Sequence, residues 1–206
     1  MTQMALPLGW PAAPSEDAFI VTPSNARAAH LVEHRGAWPV MTALLVGPRR
    51  SGRTLLARIF AAKSGGRFID DADRADERTL FHAWNDAQAA RCPLLLVAEQ
   101  APPAWAIALP DLRSRLAACT VAAIGAPDDA LVRALFAGAF ERRGLDIRPD
   151  LLDWLTARIE RSHLGVDRAI DALDQTAMER RRGLSIPLAR QSLIAAGLIA
   201  HPDPEE

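Results

Sequence analysis

The run Gly47-Pro48-Arg49-Arg50-Ser51-Gly52-Arg53-Thr54 constrains this chain more than any other stretch. It follows an apolar segment, 41–46, bounded by Pro39 and Gly47, that reads as a buried strand. It precedes residues 53–62, where Leu55, Leu56, Ile59 and Phe60 fall on one helical face. The pattern is G-x-x-x-x-G-K-[ST] with arginine at the lysine position. Glycines let backbone N–H groups curl around a phosphate, and the helix N-terminus adds positive potential. Gly47, Pro48, Ser51, Gly52, Arg53, Thr54 and Leu55 are therefore candidate phosphate-loop contacts. The Thr54 hydroxyl is a candidate Mg²⁺ ligand. A glycine-rich turn with no ligand is the plainer alternative; the flanking strand and helix favour phosphate.

Arg53 is the departure. A guanidinium is wider than an ammonium and planar, so the exchange is not conservative at such a site. The chain has 24 basic residues, all arginine except Lys63. That chain-wide preference accounts for the substitution without showing that hydrolysis survives it. Binding is expected to be retained and turnover to be slow or absent.

A second acidic signal sits at Phe68-Ile69-Asp70-Asp71. One carboxylate after a strand can hold Mg²⁺ while its neighbour orients an attacking water. Asp70 is the candidate metal residue and Asp71 the candidate catalytic one. The competing reading is a solvated turn of Asp70, Asp71 and Asp73.

Short strands are expected at 41–46, 67–70, 94–98 and 120–124. Helices are expected at 25–32 (capped by Ser24), 53–62 and 76–90, the last with Leu80, Phe81 and Trp84 inward. Alternating strands and helices predict an α/β unit with a short parallel sheet of about four strands. After Pro127 no strand is evident. Helices opened by Asp128-Asp129 and by Pro149, one at 166–182 and one from Pro187 predict an all-α bundle. The expected organisation is a tail at 1–15, an α/β domain at 16–126, a helical domain at 127–200 and a flexible acidic end at 201–206.

Composition excludes several classes. Of 206 residues, 50% are hydrophobic and 24% charged, which argues against wholesale disorder. The net charge of −1 supplies no bulk cation for dedicated DNA binding. Apolar stretches are too short for a membrane span, and no cation precedes Arg27 to mark a leader. Cys92 and Cys119 make neither a disulfide framework nor a metal site. The cytoplasm is the expected location.

Together the motifs resemble the AAA+ ATPase module of the replication initiator DnaA, and more closely its short homologues, the Hda family. Asp17 to Val21 followed by Pro23-Ser24-Asn25 is similar to the family's leading segment, which implies Asn25 beside adenine. Gln100 is the nearest polar candidate for sensor 1. Leu109-Pro110-Asp111-Leu112-Arg113-Ser114-Arg115-Leu116 is the most specific match; it implies Arg115 as an arginine finger. Pro127-Asp128-Asp129 begins the lid. Positions 55–67 leave no room for a strand and helix that the family normally carries, so the acidic strand should lie at a sheet edge. At the sensor 2 place Asp167 stands, with Arg168 one position later; Arg161 is a further option.

Gln3-Met4-Ala5-Leu6-Pro7-Leu8 resembles the family's clamp-binding peptide. Gln3 offers a two-way amide, Met4, Leu6 and Leu8 offer apolar anchors, and Pro7 limits unbound conformations. The resemblance implies ADP or ATP with Mg²⁺ as cofactors. It implies DnaA and the DNA polymerase III sliding clamp (beta subunit) as partners. Neither origin-sequence reading nor membrane binding is expected, and homo-oligomers are allowed. Two other readings stay open: a self-contained ATPase using Arg53, Asp71 and its own Arg115, and a degenerate nucleotide-binding adaptor.

Overall fold

The structure is a computed structural model that describes residues 19–144, 147–180 and 183–200. The expectations for 1–15 and 201–206 lie outside the described residues. A four-stranded parallel sheet has the order β2-β3-β1-β4. Its strands are β1 (Thr42–Val46), β2 (Arg67–Ile69), β3 (Leu94–Ala98) and β4 (Thr120–Ala123). β1 and β3 are buried at every position, which is why both read as unbroken apolar runs rather than alternating ones.

Alternate residues of those strands feed two faces. Ala43, Leu45, Leu95 and Val97 pack with helices α1 (Ala26–Glu33) and α2 (Arg53–Ser64). Leu44, Val46, Leu94 and Leu96 pack with α3 (Glu77–Ala90) and α4 (Pro110–Ala117). The third cluster is wholly helical, built on Phe136, Phe140, Leu155, Leu173 and Leu193. It joins α5 (Asp129–Glu141), α6 (Pro149–Arg158), α7 (His163–Arg180) and α8 (Ile186–Ala195).

Helix α2 passes directly into β2 with no further strand or helix between them. Helix α2 ends at Gly65, whose φ of 65° suits a left-handed cap, and the chain enters β2 two residues later. β2 therefore forms an edge, next to β3. Two local expectations are corrected. Ser24 is not the cap of α1; Asn25 occupies that position, its side chain turned back to Thr22 and Ile20 instead of capping. Phe81 and Trp84 are only partly buried against the core, because they also carry an arginine described below.

Candidate phosphate-loop site

The site lies at the carboxyl ends of the strands, where open α/β sheets bind ligands. At Gly47 a Cβ would stand 2.9 Å from the Ile124 carbonyl oxygen, so the backbone just past β4 leaves no room for a side chain. Gly52 opens α2 with φ 87°, and a Cβ there would come 3.2 Å from the Phe19 ring. Glycine is thus required twice, once by close approach and once by conformation. Pro48 and Leu55 flank this turn, Leu55 on the cavity wall.

Two polar atoms in the loop are buried without a partner, Ser51 Oγ and Arg53 Nη1. Arg53 is 8% exposed. A buried guanidinium nitrogen without a hydrogen bond is costly, and an anion seated in the loop would satisfy both atoms. Beside it, Thr54 Oγ1 donates to Asp70 Oδ2 at 2.7 Å, and the Asp71 N–H donates to Asp70 Oδ1 at 3.0 Å. A hydroxyl and a carboxylate are thereby held together at the mouth of the loop. The donor set fits Mg²⁺, which takes one or two protein oxygens and completes its shell with water and phosphate. Among the described residues no group of three or more His, Cys, Asp or Glu could hold a metal by itself.

Asp71 is exposed, with φ 46°. Gln100 is also exposed, just past β3, while its neighbour Glu99 is tied to Arg74 at 3.1 Å and takes Asp73 Oδ2 on its N–H. Asn25 lines the loop cavity, but its amide is spent on the leading segment: Oδ1 accepts from Thr22 N at 2.9 Å and Nδ2 donates to the Ile20 carbonyl at 2.8 Å. Asn25 therefore acts on the cavity by fixing Ile20. That cavity, closed by Leu131, Leu135 and His163 from the helical side, measures about 90 Å³. Small-molecule pockets run to about 300–1,000 Å³, so the cavity as it stands is smaller than an ordinary nucleotide site.

Three links hold the helices over the loop. Arg50 pairs with Asp167 at 3.1 Å. Buried His163 joins the Gly125 carbonyl through Nε2 at 2.9 Å. Asp128 caps α5 by accepting from Leu131 N at 2.8 Å and also takes the Ser24 N–H at 3.1 Å. Burial raises the Asp128 carboxyl, but the N–H groups of Leu131 and Ser24, with the Thr22 and Ser24 side chains, outweigh it and leave the group below its usual value of 3.8. Asp167, not Arg168, faces the loop; Arg168 is exposed, about 100° further round α7. Arg161 pairs with Asp129 at 2.7 Å within the bundle. Sequence alone puts Asp167 at the sensor 2 place without a partner, and it does not bring Arg50 or His163 to the site. The spacing of His163 and Asp167 by one helical turn was the available signal.

Arg115 sits away from this loop, on α4. Its guanidinium lies 4.1 Å from the Phe81 ring centroid and 4.6 Å from that of Trp84, and Nη1 donates to Asn85 Oδ1. Arg113, two residues earlier, is tied to the Ile107 carbonyl.

Residues 128–193 match the family described as Hda, lid domain. The whole described fold is that of AAA+ proteins. It superposes on domain III of the replication initiation protein DnaA from Thermotoga maritima with a TM-score of 0.73, at 15% identity over 88% of this chain and 95% of that one. The Holliday junction branch migration motor RuvB of Thermotoga maritima gives 0.67, at 17% identity over 88% and 72%. A DnaA structure bound to AMPPCP and single-stranded DNA gives 0.60, at 15% identity over 80% and 66%. An uncharacterised protein of Haemophilus influenzae is 29% identical over 119 residues, 57% of this chain and 51% of that protein. The chain spans about half the length of this curated relative. No described helix is long and apolar enough to cross a membrane.

Proposed function

We propose that this chain is a cytoplasmic, nucleotide-binding regulator of replication initiation, acting on DnaA at the sliding clamp. The observation that carries the reading is an Hda lid latched over a phosphate loop whose Ser51 Oγ and Arg53 Nη1 are buried and unpartnered. In this reading Gly47, Pro48, Ser51, Gly52, Arg53, Thr54 and Leu55 hold ADP or ATP. Thr54 and Asp70 hold Mg²⁺. The lid is 127–200, the nucleotide-binding domain 16–126, and the tail 1–15 docks on the clamp through Gln3, Met4, Leu6, Pro7 and Leu8. Arg115 is supplied to the ATP of DnaA, where a trans arginine stabilises transition-state charge and accelerates hydrolysis by about 10³–10⁵.

The Thr54–Asp70 contact favours one second reading, a self-contained ATPase in which Asp71 orients water and Arg115 comes from another copy. ATP turnover by the purified chain is compared with turnover on adding DnaA and DNA-loaded clamp. The regulator reading expects little turnover alone and strong stimulation of DnaA. Turnover by the chain alone, unchanged by clamp, overturns it. Replacing Gln3, Leu6 and Leu8 by alanine should abolish co-migration with the clamp and leave ADP binding intact.

A further inference from the structure

Helix α4, which carries Arg115, begins without a cap of its own. Leu109 at its N-cap offers no side-chain acceptor, and Pro110 follows in the first turn. The N–H groups of the turn leading into it are taken by Glu77, from the first turn of α3. Glu77 Oε1 accepts from Ala108 N at 2.8 Å and Oε2 from Leu109 N at 2.6 Å. A carboxylate that takes one N–H on each oxygen is fixed in orientation as well as position, and this one stands at the positive end of α4. Half-buried, Glu77 belongs to neither the phosphate loop nor its cavity.

The same stripe of α3 holds the other end of α4. Glu77, Phe81, Trp84 and Asn85 stand at positions i, i+4, i+7 and i+8, one face of a helix. Phe81 and Trp84 carry the Arg115 guanidinium, and the Asn85 amide oxygen accepts from its Nη1. Leu109 and Arg115 are about 9 Å apart along the helix axis, so α4 is a short rod gripped at both ends by one neighbour. Leu80, Leu112 and Leu116 pack in the same cluster, but apolar contact is non-directional; the two N–H bonds to Glu77 add direction. Arg113 also binds the leading turn, through the Ile107 carbonyl. That bond lies within α4 and its own lead-in and ties it to no other helix.

We propose that Glu77 is a positioning residue for Arg115: by pinning the start of α4 to α3, it sets where the guanidinium stands. The proposal rests on the reading of Arg115 as the residue supplied to DnaA-bound ATP. Glu77 itself touches no reacting group. Freed at its start, α4 shifts along α3 and carries the guanidinium with it, and a misplacement of about 1 Å costs on the order of 10²-fold in rate. A carboxylate that only capped α4 would add stability and leave Arg115 of the folded chain where it is.

The ring currents of Phe81 and Trp84 mark the Arg115 δ-methylene protons, whose resonances are assigned in the full chain by their loss in Arg115→Ala. Well below the melting temperature, Glu77→Ala should carry them toward the unstacked position. It should also lower the saturating rate of DnaA-bound ATP hydrolysis, with DNA-loaded clamp, by about tenfold or more. The concentration giving half-maximal stimulation should hold, because the change moves a reacting group and removes no docking surface. Glu77→Gln keeps one acceptor oxygen for the two N–H groups and should fall between parent and Glu77→Ala in both readouts. Circular dichroism shows which variants fold, and Glu77→Gln alone carries the test if Glu77→Ala does not. Unmoved Arg115 resonances in a folded variant overturn the proposal. So do displaced resonances with a parental saturating rate, where Arg115→Ala loses stimulation. Near-parental stimulation by Arg115→Ala overturns the DnaA reading instead, and the resonances then decide by themselves whether Glu77 places Arg115.

Discussion

The Arg115 guanidinium stands 4.1 Å from the centroid of the Phe81 ring, with Trp84 close behind it and the Asn85 amide at its edge. The side chain is held by the neighbouring helix α3, neither capping its own helix α4 nor paired with a surface acid. Such a stack contributes about 0.5–2 kcal/mol. That is small against a phosphate partner in a water-excluded site, so the stack can serve as a resting place from which the side chain is drawn.

If Arg115 acts on DnaA-bound ATP, Arg115→Ala should lower the stimulated hydrolysis by about 10³ or more. It should cost only about 1–2 kcal/mol of stability, for one stacked cation and one amide bond. Arg113→Ala, which loses a bond to a backbone carbonyl, should leave stimulation within a few-fold of the parent. Arg115→Lys keeps the charge and loses the planar fork; it should fold and fail. Near-parental stimulation by Arg115→Ala would remove the residue from the mechanism.

Arg53 makes a prediction with opposite signs in two measurements. Its Nη1 is buried and unpartnered, which is a cost in the ligand-free chain and a donor in the bound one. Arg53→Met fills the same space without the charge, so the ligand-free melting temperature should rise or hold. The upward shift produced by Mg-ADP, which follows from mass action, should disappear. A parental shift in the variant would show that the nucleotide does not lie on Arg53.

How much of this was legible follows from distance along the chain. The phosphate loop, its strand and its helix are contiguous, so composition and periodicity suffice. That a single helix joins β1 to β2 is a matter of counting residues between Thr54 and Phe68, and the edge position of β2 is the one expected. The Arg50–Asp167 link spans the two domains, and nothing local selects Asp167 over Arg168 except the phase of α7. The stacking of Arg115 on Phe81 and Trp84 joins two helices separated by a strand; periodicity marks those rings as inward and stays silent on what covers them. Ser24 and Asn25 are both good caps by type, and only the bonds of Asn25 to Ile20 and Thr22 decide between them.

Asp167 places a carboxylate against Arg50 of the phosphate loop. It competes for Arg50, and at 36% side-chain exposure against 66% for the arginine the pair is worth at most about 1 kcal/mol. Asp167→Asn should therefore tighten ADP binding by up to about fivefold at low ionic strength. The gain should fade in high salt. Titration calorimetry at two salt concentrations measures both. Weaker binding by the variant would mean that the latch helps to build the site.

Asp128 ties the lid to the core by accepting from Leu131 and from Ser24, and its carboxyl sits below 3.8 in the folded chain. A depressed folded value means that the unfolded chain takes up the proton first. The contribution is therefore complete above the ordinary carboxylate range and is lost as pH falls through the folded value. Asp128→Asn keeps an acceptor for the α5 cap but removes the titration. Unfolding free energies of parent and variant should differ at pH 7, converge as pH falls below 3.8, and leave the variant with the shallower acid limb. Asp128→Ala removes the acceptor at every pH and should cost about 1 kcal/mol throughout. Parallel acid limbs for parent and Asp128→Asn would show that the Ser24 and Leu131 bonds do not select the charged form, and the lid–core tie would then rest on His163 and Asp167.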